Sequence, residues 1–140
     1  MRNKRTKWKN QYEIIEGNSK FHESVRNIFV SDTFFSKLQC FQEVPIKELV
    51  PNYHKNHYLD WFIDELGVIL ELHGEQHYRI VNFGNHSYGE AKENFHNIRY
   101  RDNLKKTALI QAGYQYREIS YKDKIKINAE YLKRILIYGE

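Results

Sequence analysis

Two short apolar segments joined by a tight turn constrain the fold of this chain more than any other feature. The segments are 57–63 (HYLDWFI) and 67–73 (GVILELH), and both are rich in aromatic or branched aliphatic residues. The joining sequence Asp64-Glu65-Leu66-Gly67 has aspartate at the first position and glycine at the fourth position of a turn. The pattern therefore predicts a β-hairpin.

Helical and strand patterns alternate on both sides of this hairpin. Before it, apolar residues at helical spacing predict a helix that opens near Ser19, and 38–46 (LQCFQEVPI) predicts an edge strand followed by a loop over 47–56. After it, the sequence predicts a long loop over 79–96 that can include a short helix, the longest helix over 97–112, a strand over 114–120 and a closing helix over 128–138. This order predicts an α/β fold with a mixed central sheet flanked by helices.

Composition indicates one globular domain. The chain has 140 residues, of which 41% are hydrophobic and 29% charged, with 2 prolines and 7 glycines, so disorder and repetitive structure are excluded. No apolar run approaches the roughly 20 residues that a membrane helix needs, and the N-terminus lacks a secretory pattern. A single cysteine, Cys40, forms no internal disulfide. We therefore expect a cytoplasmic protein with no membrane partner.

The positive charge is concentrated at the N-terminus. The net charge is +4, but residues 1–9 hold five basic and no acidic residues, which leaves 17 basic and 18 acidic residues in the rest of the chain. We interpret 1–12 as a basic tail and 13–140 as the folded domain. A solvated terminus without a specific role is the alternative that composition alone favours. The tail residues that could contact nucleic-acid phosphates and bases are Arg2, Lys4, Arg5, Lys7, Trp8 and Lys9.

The predicted hairpin brings two acids together. If the turn spans 64–67, antiparallel pairing places Asp60 directly opposite Glu71, with Cβ atoms roughly 4.5–5.5 Å apart. Like charges so placed destabilise the sheet unless a cation compensates, and carboxylates are preferred ligands of Mg²⁺ and Mn²⁺. The alternative is that both acids lie on a solvated face and pair with nearby lysine or arginine.

Two histidines extend this cluster. His73 lies on the same side of the strand as Glu71, and His77 follows shortly afterwards, so either imidazole could transfer protons during phosphodiester hydrolysis. A zinc site that combines them with Cys40, or with His54 and His57, is not expected, because the spacing crosses a glycine at a strand end.

Asp102 stands near the start of the longest predicted helix. It lies one turn before Lys105 and Lys106, so an ion pair on the helix surface is its simplest interpretation. Sequence spacing alone does not bring it to the hairpin.

Two segments, HYLDWFIDELGVILELHGEQHY and NIRYRDNLKKTALIQAGYQYREISY, resemble the phage-type homing endonucleases related to very short patch repair endonucleases. These belong to the PD-(D/E)xK nuclease superfamily, and the resemblance covers about residues 19–137. It implies a restriction-endonuclease-like core and a metal-dependent DNA endonuclease. Asp60 would bind the metal, assisted by Glu71 or a nearby backbone carbonyl, and His77 with Asp102 would complete the catalytic cluster.

The chain departs from the family pattern at two positions. His73 stands where the superfamily has lysine and the homing relatives have aspartate, although very short patch repair enzymes also have histidine before the glycine. In the first helix, His22 occupies the position of the family's glutamate, and Glu23 is displaced by one residue. His22, Glu23 and His73 are therefore candidate catalytic residues.

The sequence thus predicts a DNA nuclease of homing or mobile-element type that uses Mg²⁺ or Mn²⁺ held by Asp60 and Glu71. Lys105 and the basic tail would contact phosphates. No separate recognition module is evident, so a homodimer or a second protein would supply sequence specificity. Two alternatives are a DNA-binding or assembly protein that has lost the chemistry, and a structure-specific resolvase of branched DNA. RNA is a less favoured substrate.

Overall fold

A four-stranded mixed sheet with helices on both faces forms the described part of the chain, residues 19–81 and 87–139 of a computed structural model. The helices are α1 (Lys20–Ser31), α2 (Ile46–Leu49), α3 (Tyr88–Gln111) and α4 (Ala129–Lys133), which continues as a π-helical turn, Arg134–Tyr138. The strands are β1 (Cys40–Pro45), β2 (Tyr58–Ile63), β3 (Val68–His73) and β4 (Gln115–Ser120). The predicted α/β class with a mixed sheet is confirmed.

The strand order is β1-β2-β3-β4, and only the last pair is parallel. The predicted hairpin register is confirmed, because Trp61 pairs with Leu70 and Ile63 with Val68. Gly67 adopts the left-handed conformation (φ 62°) and donates its N–H to the carbonyl of Asp64, as a tight turn requires. The long helix α3 then crosses over from β3 to β4.

The predicted long loop over 79–96 is wrong for its second half, because α3 begins at Tyr88. Ser87 caps this helix, and its Oγ accepts the N–H of Glu90. The sequence Ser87-Tyr88-Gly89-Glu90 carries this capping signal, but the polar first half of α3 packs little apolar surface and so lacks a helical period. The predicted loop over 47–56 is also corrected, because Ile46 and Leu49 are both buried on the short helix α2.

Each face of the sheet has its own apolar core. Helices α1 and α4 cover one face, where Phe29 packs edge-on against Trp61 with ring centroids 4.8 Å apart. Helices α2 and α3 cover the other, where Leu109 packs with Phe62 and Ile69. No helix among the described residues is long and apolar enough to cross a bilayer.

Candidate active site

The two hairpin carboxylates meet where the ladder between β2 and β3 ends. The last paired residues are Trp61 and Leu70. Beyond them, Glu71 Oε2 accepts the backbone N–H of Asp60 at 3.1 Å, and Asp60 Oδ2 accepts the backbone N–H of Leu72 at 2.7 Å. Carboxylate oxygens thus replace the carbonyl acceptors of a continued ladder. The side chains of Asp60 and Glu71 therefore come together, as the hairpin register predicts.

Lys105 reaches this pair from α3. Its Nζ lies 2.6 Å from Glu71 Oε1, and both side chains are buried. Lys105 stands one helical turn before Leu109, which anchors α3 in the core, so the same helix face that packs on the sheet delivers the ammonium. The lysine that the sequence assigned to phosphate contacts therefore lies inside the site as the partner of a carboxylate.

One ammonium faces two buried carboxylates, and their pKa values reflect this imbalance. Burial, together with the neighbouring charge of Asp60, raises the pKa of Glu71 to about 8, although Lys105 opposes the shift. Burial also raises the pKa of Asp60, although its hydrogen bonds with Glu71 and Leu72 oppose this. The pair consequently retains a proton near neutral pH unless a further cation is bound.

Asp102 contacts His77 rather than a lysine on the surface of its helix. His77 Nδ1 lies 2.6 Å from Asp102 Oδ2, and both side chains are largely buried. Burial raises the pKa of Asp102, but the hydrogen bond and the charge of His77 outweigh it, so the net shift is downward. An ionised carboxylate can only accept a hydrogen bond, so Nδ1 of His77 carries the donated proton, and Nε2 is the ring nitrogen that can accept another proton.

His73 lies beside this dyad. Its ring stacks on that of His77 with centroids 4.1 Å apart and planes 5° apart, and its Nδ1 is 3.7 Å from Glu118 Oε2. Burial, reinforced by His77, lowers the pKa of His73 to about 4, so the imidazole is neutral at physiological pH. His73 therefore does not supply the positive charge that a lysine would supply at the same position.

Glu43 on β1 is a site residue that the sequence interpretation missed. The strand register places it opposite Asp60, between the pairs Gln42–Trp61 and Val44–Leu59. Glu43 has φ 56°, and this left-handed residue lets Phe41 and Val44 pack into the same core, although strict alternation would direct side chains three positions apart to opposite faces. Burial raises the pKa of Glu43. The charge of Glu71 adds to this shift, whereas the charges of His22 and Lys105 oppose it, so the Glu43 carboxyl interacts electrostatically with the other site residues.

The first helix contributes His22 and not Glu23. His22 lines the same cleft as Asp60 and Glu71, and its buried Nδ1 has no hydrogen-bond partner among residues 19–81 and 87–139. Burial lowers the pKa of His22, while the charges of Glu43 and Glu71 act in the opposite direction. Glu23 lies apart, half exposed, 3.7 Å from Arg26.

The site opens into a cleft, and a basic groove adjoins it. The cleft is lined by residues from α1, the hairpin and α3: His22, His57, Asp60, Glu71, His73, His77, Arg101 and Lys105. The neighbouring groove shares His57 and Arg101 with it and adds Lys55, Arg79 and the aromatic ring of Phe95. The groove provides cationic groups beside the carboxylates.

The described residues thus bring together Asp60, Glu71 and Lys105, with His77 in the same cleft and Asp102 hydrogen-bonded to His77. The predicted boundary at residue 12 and all the tail residues proposed to contact DNA lie outside the described residues. Comparisons of the chain with models of protein families, with characterised proteins and with solved structures find no match.

Proposed function

We propose that the protein is a metal-dependent endonuclease that hydrolyses phosphodiester bonds of DNA, on a core of the PD-(D/E)xK type. The observation that carries this proposal is the buried pair of Asp60 and Glu71 in one cleft with His77, which Asp102 holds by a hydrogen bond. Sites that hydrolyse phosphodiesters need a place for a cation and a group that accepts a proton, and these residues supply both.

The carboxylates suit a hard divalent cation such as Mg²⁺ or Mn²⁺. Asp60 and Glu71 are buried, and the one ammonium of Lys105 is paired with Glu71, so an added cation would replace the shared proton and balance the remaining negative charge. Glu43 adds a third carboxyl opposite Asp60. When bound, the cation supplies positive charge that stabilises the negative charge developing on the phosphate in the transition state.

The chain's own residues account for the proton transfers and for orientation. Asp102 holds His77 by the Nδ1 hydrogen bond, so Nε2 accepts the proton of the attacking water as its oxygen bonds to phosphorus. The phosphorus–oxygen bond to the leaving strand breaks, and the released alkoxide takes a proton from solvent. Lys105 holds Glu71 in place and neutralises part of the pair's charge.

DNA is favoured as the substrate by the groove that adjoins the cleft. Lys55, Arg79 and Arg101 line it, and Arg79 is also paired with Glu75. Cations along a groove neutralise backbone phosphates without reading sequence, and an aromatic ring such as that of Phe95 can stack on a base. The basic N-terminal tail would add salt-dependent affinity.

The proposal is tested by nicking of supercoiled plasmid in Mg²⁺, Mn²⁺ or EDTA. We expect the native chain to nick with Mg²⁺ or Mn²⁺ and not with EDTA, and we expect Asp60→Asn to be inactive. Glu23→Gln is the matched control, because it removes an exposed acid of the first helix that lies apart from the site. It should retain full activity.

Binding without cleavage would contradict this function. If the native chain binds plasmid, single strands and four-way junctions but cuts none of them with any metal, the protein is a DNA-binding protein on a nuclease-like fold. If it cuts junctions only, it is a structure-specific resolvase.

A further inference from the structure

We propose that His73, His77 and Asp102 form a second metal site, which binds a divalent transition ion such as Zn²⁺ and is separate from the Asp60–Glu71 pair. No zinc site was expected from the sequence, because the spacing of the two histidines crosses a glycine at a strand end, and the third ligands considered were Cys40, His54 and His57. Helix α3 supplies a third ligand in Asp102, 25 residues beyond His77.

The ligand atoms of the three residues already lie close together. One donor atom from each residue can be chosen so that all lie within 4.8 Å of one another. His77 Nδ1 and Asp102 Oδ2 are 2.6 Å apart, and the His73 ring lies 4.1 Å from the His77 ring. Zinc–ligand distances are about 2.0–2.2 Å for histidine nitrogen and carboxylate oxygen. Tetrahedral ligand atoms at these distances lie about 3.4 Å apart, so a single ion needs His77 Nδ1 and Asp102 Oδ2 to move slightly apart and a His73 nitrogen to approach them.

One of the two histidine rings must turn before both can bind the same ion. The two imidazole planes are 5° from parallel, so their lone pairs do not meet at one point until one ring turns. His73 ends strand β3 and is 5% exposed, whereas His77 stands on the short helical turn Glu75–His77 that follows Gly74. We expect the turn to carry the His77 ring toward the ion while His73 stays in place.

The donor chemistry separates this site from the carboxylate pair. Two imidazoles and one carboxylate form a borderline ligand set that favours Zn²⁺ or Co²⁺, whereas carboxylates alone favour Mg²⁺ or Mn²⁺. Burial disfavours the charged form of His73, so its ring is available as a neutral ligand. Three protein ligands leave a position for water, and binding between His77 and Asp102 releases the proton that they share.

Occupation of this site has a consequence that rests on the proposed nuclease function. An ion bound to His77 and Asp102 removes the proton acceptor of the reaction. Zn²⁺ should therefore inhibit nicking supported by Mg²⁺, and excess Mg²⁺ should not relieve the inhibition, because the two ions occupy different ligands.

The test is titration of the full chain with Zn²⁺ alone, by calorimetry, and with Co²⁺ alone, by visible absorption. We expect one tightly bound ion per chain and visible Co²⁺ bands. The variants His77→Ala, His73→Gln and Asp102→Asn should each weaken binding by on the order of 10-fold or more. Circular dichroism of each variant checks that the chain is folded.

Two control variants locate the ion. Asp60→Asn removes one carboxylate of the Asp60–Glu71 pair and should leave Zn²⁺ binding unchanged. His54→Ala removes an exposed imidazole elsewhere and should change neither Zn²⁺ binding nor nicking. The proposal is overturned if the native chain does not bind Zn²⁺, if the folded site variants bind it as tightly as the native chain, or if Asp60→Asn alone abolishes binding. Zinc binding in a chain that nicks no substrate would overturn the nuclease function and leave the metal site standing.

Discussion

The two faces of the central sheet differ in what they bury. Under α1 and α4 the buried cluster is apolar, with Phe29, Trp61 and Leu70 among its residues. Under α3 it is apolar only at the end near the hairpin turn, where Leu109 packs. At the other end Lys105, on the same helix, meets Glu71.

This difference is expected if the charged end of the molecule carries out the proposed chemistry. Apolar burial stabilises a fold wherever shapes fit, whereas two buried carboxylates with one ammonium cost free energy. Asp60 and Glu71 lie within their strands, at the point where the ladder between β2 and β3 stops. We infer that the charged end is maintained for function, and each prediction below contrasts it with the apolar regions.

The largest expected effect is on the apolar face. Phe29→Ala should lower the free energy of unfolding by about 3–5 kcal/mol, because it empties a fully buried ring site against Trp61. Phe62→Ala, on the α3 side near the turn, should cost a similar amount. Urea denaturation measures both, and a loss below about 1 kcal/mol in either would contradict the packing described here.

At the charged end, substitutions of His77 and Asp102 should lower the nicking rate and change the free energy of unfolding little. His77→Asn should lower the nicking rate by about 10²-fold or more, the usual contribution of a general base. Asp102→Asn should have a comparable effect, because the amide no longer fixes the His77 tautomer. Single-turnover nicking assays measure the rates, and unchanged rates in folded variants would remove the dyad from the mechanism.

The carboxylate pair should make stability depend on pH in a particular direction. The folded pKa of Glu71 is about 8 against an ordinary value of 4.5, so the folded state holds an extra proton in between and stability falls as pH rises. His73, with a folded pKa of about 4 against 6.5, makes stability rise up to about pH 6.5 and so offsets the decline below that value. The net decline should appear from about pH 6.5 to about pH 8.

Urea unfolding in EDTA across this pH range measures the effect. Glu71→Gln should flatten the decline, and Mg²⁺ or Mn²⁺ at pH 8 should restore stability to the native chain, because a ligand of the folded state stabilises it. A native chain whose stability rises steadily to pH 8 would contradict the buried pair.

The smallest effect is expected at Glu43. Glu43→Gly should raise the free energy of unfolding by about 1 kcal/mol relative to Glu43→Ala, because glycine adopts the left-handed conformation at φ 56° without strain. Both variants lose the carboxyl, so both should bind Mn²⁺ more weakly than the native chain. Equal stability of the two variants would show that the backbone at this position is unstrained.

The sequence predicted the hairpin and its carboxylates because both depend on local information. Asp64 and Gly67 specify the turn, and the turn specifies the register that brings Asp60 to Glu71. The contacts of Lys105 and Asp102 depend instead on how α3 crosses the sheet, and no local pattern encodes that crossing. Asp102 therefore looked like a residue of the helix surface.

Local sequence patterns did not predict two other features, the start of α3 and the position of Glu43. The first half of α3 is polar and mostly exposed, so only the cap at Ser87 marks its start. Glu43 is placed at the site by a left-handed backbone conformation, which residues other than glycine seldom adopt and which no sequence motif predicts. The site could thus be located from the sequence, but its full set of side chains required the tertiary arrangement.

The central claim is that the buried carboxylates form a functional cation site, and Mn²⁺ binding to the native chain and to Asp60→Asn at pH 8 tests it most directly. Asparagine keeps an acceptor for the Leu72 N–H and leaves Glu71 paired with Lys105, so the variant should stay folded. We predict that the native chain binds Mn²⁺ in a calorimetric or electron paramagnetic resonance titration and that Asp60→Asn does not. Absence of binding by the native chain, or equal binding by both proteins, would contradict the account.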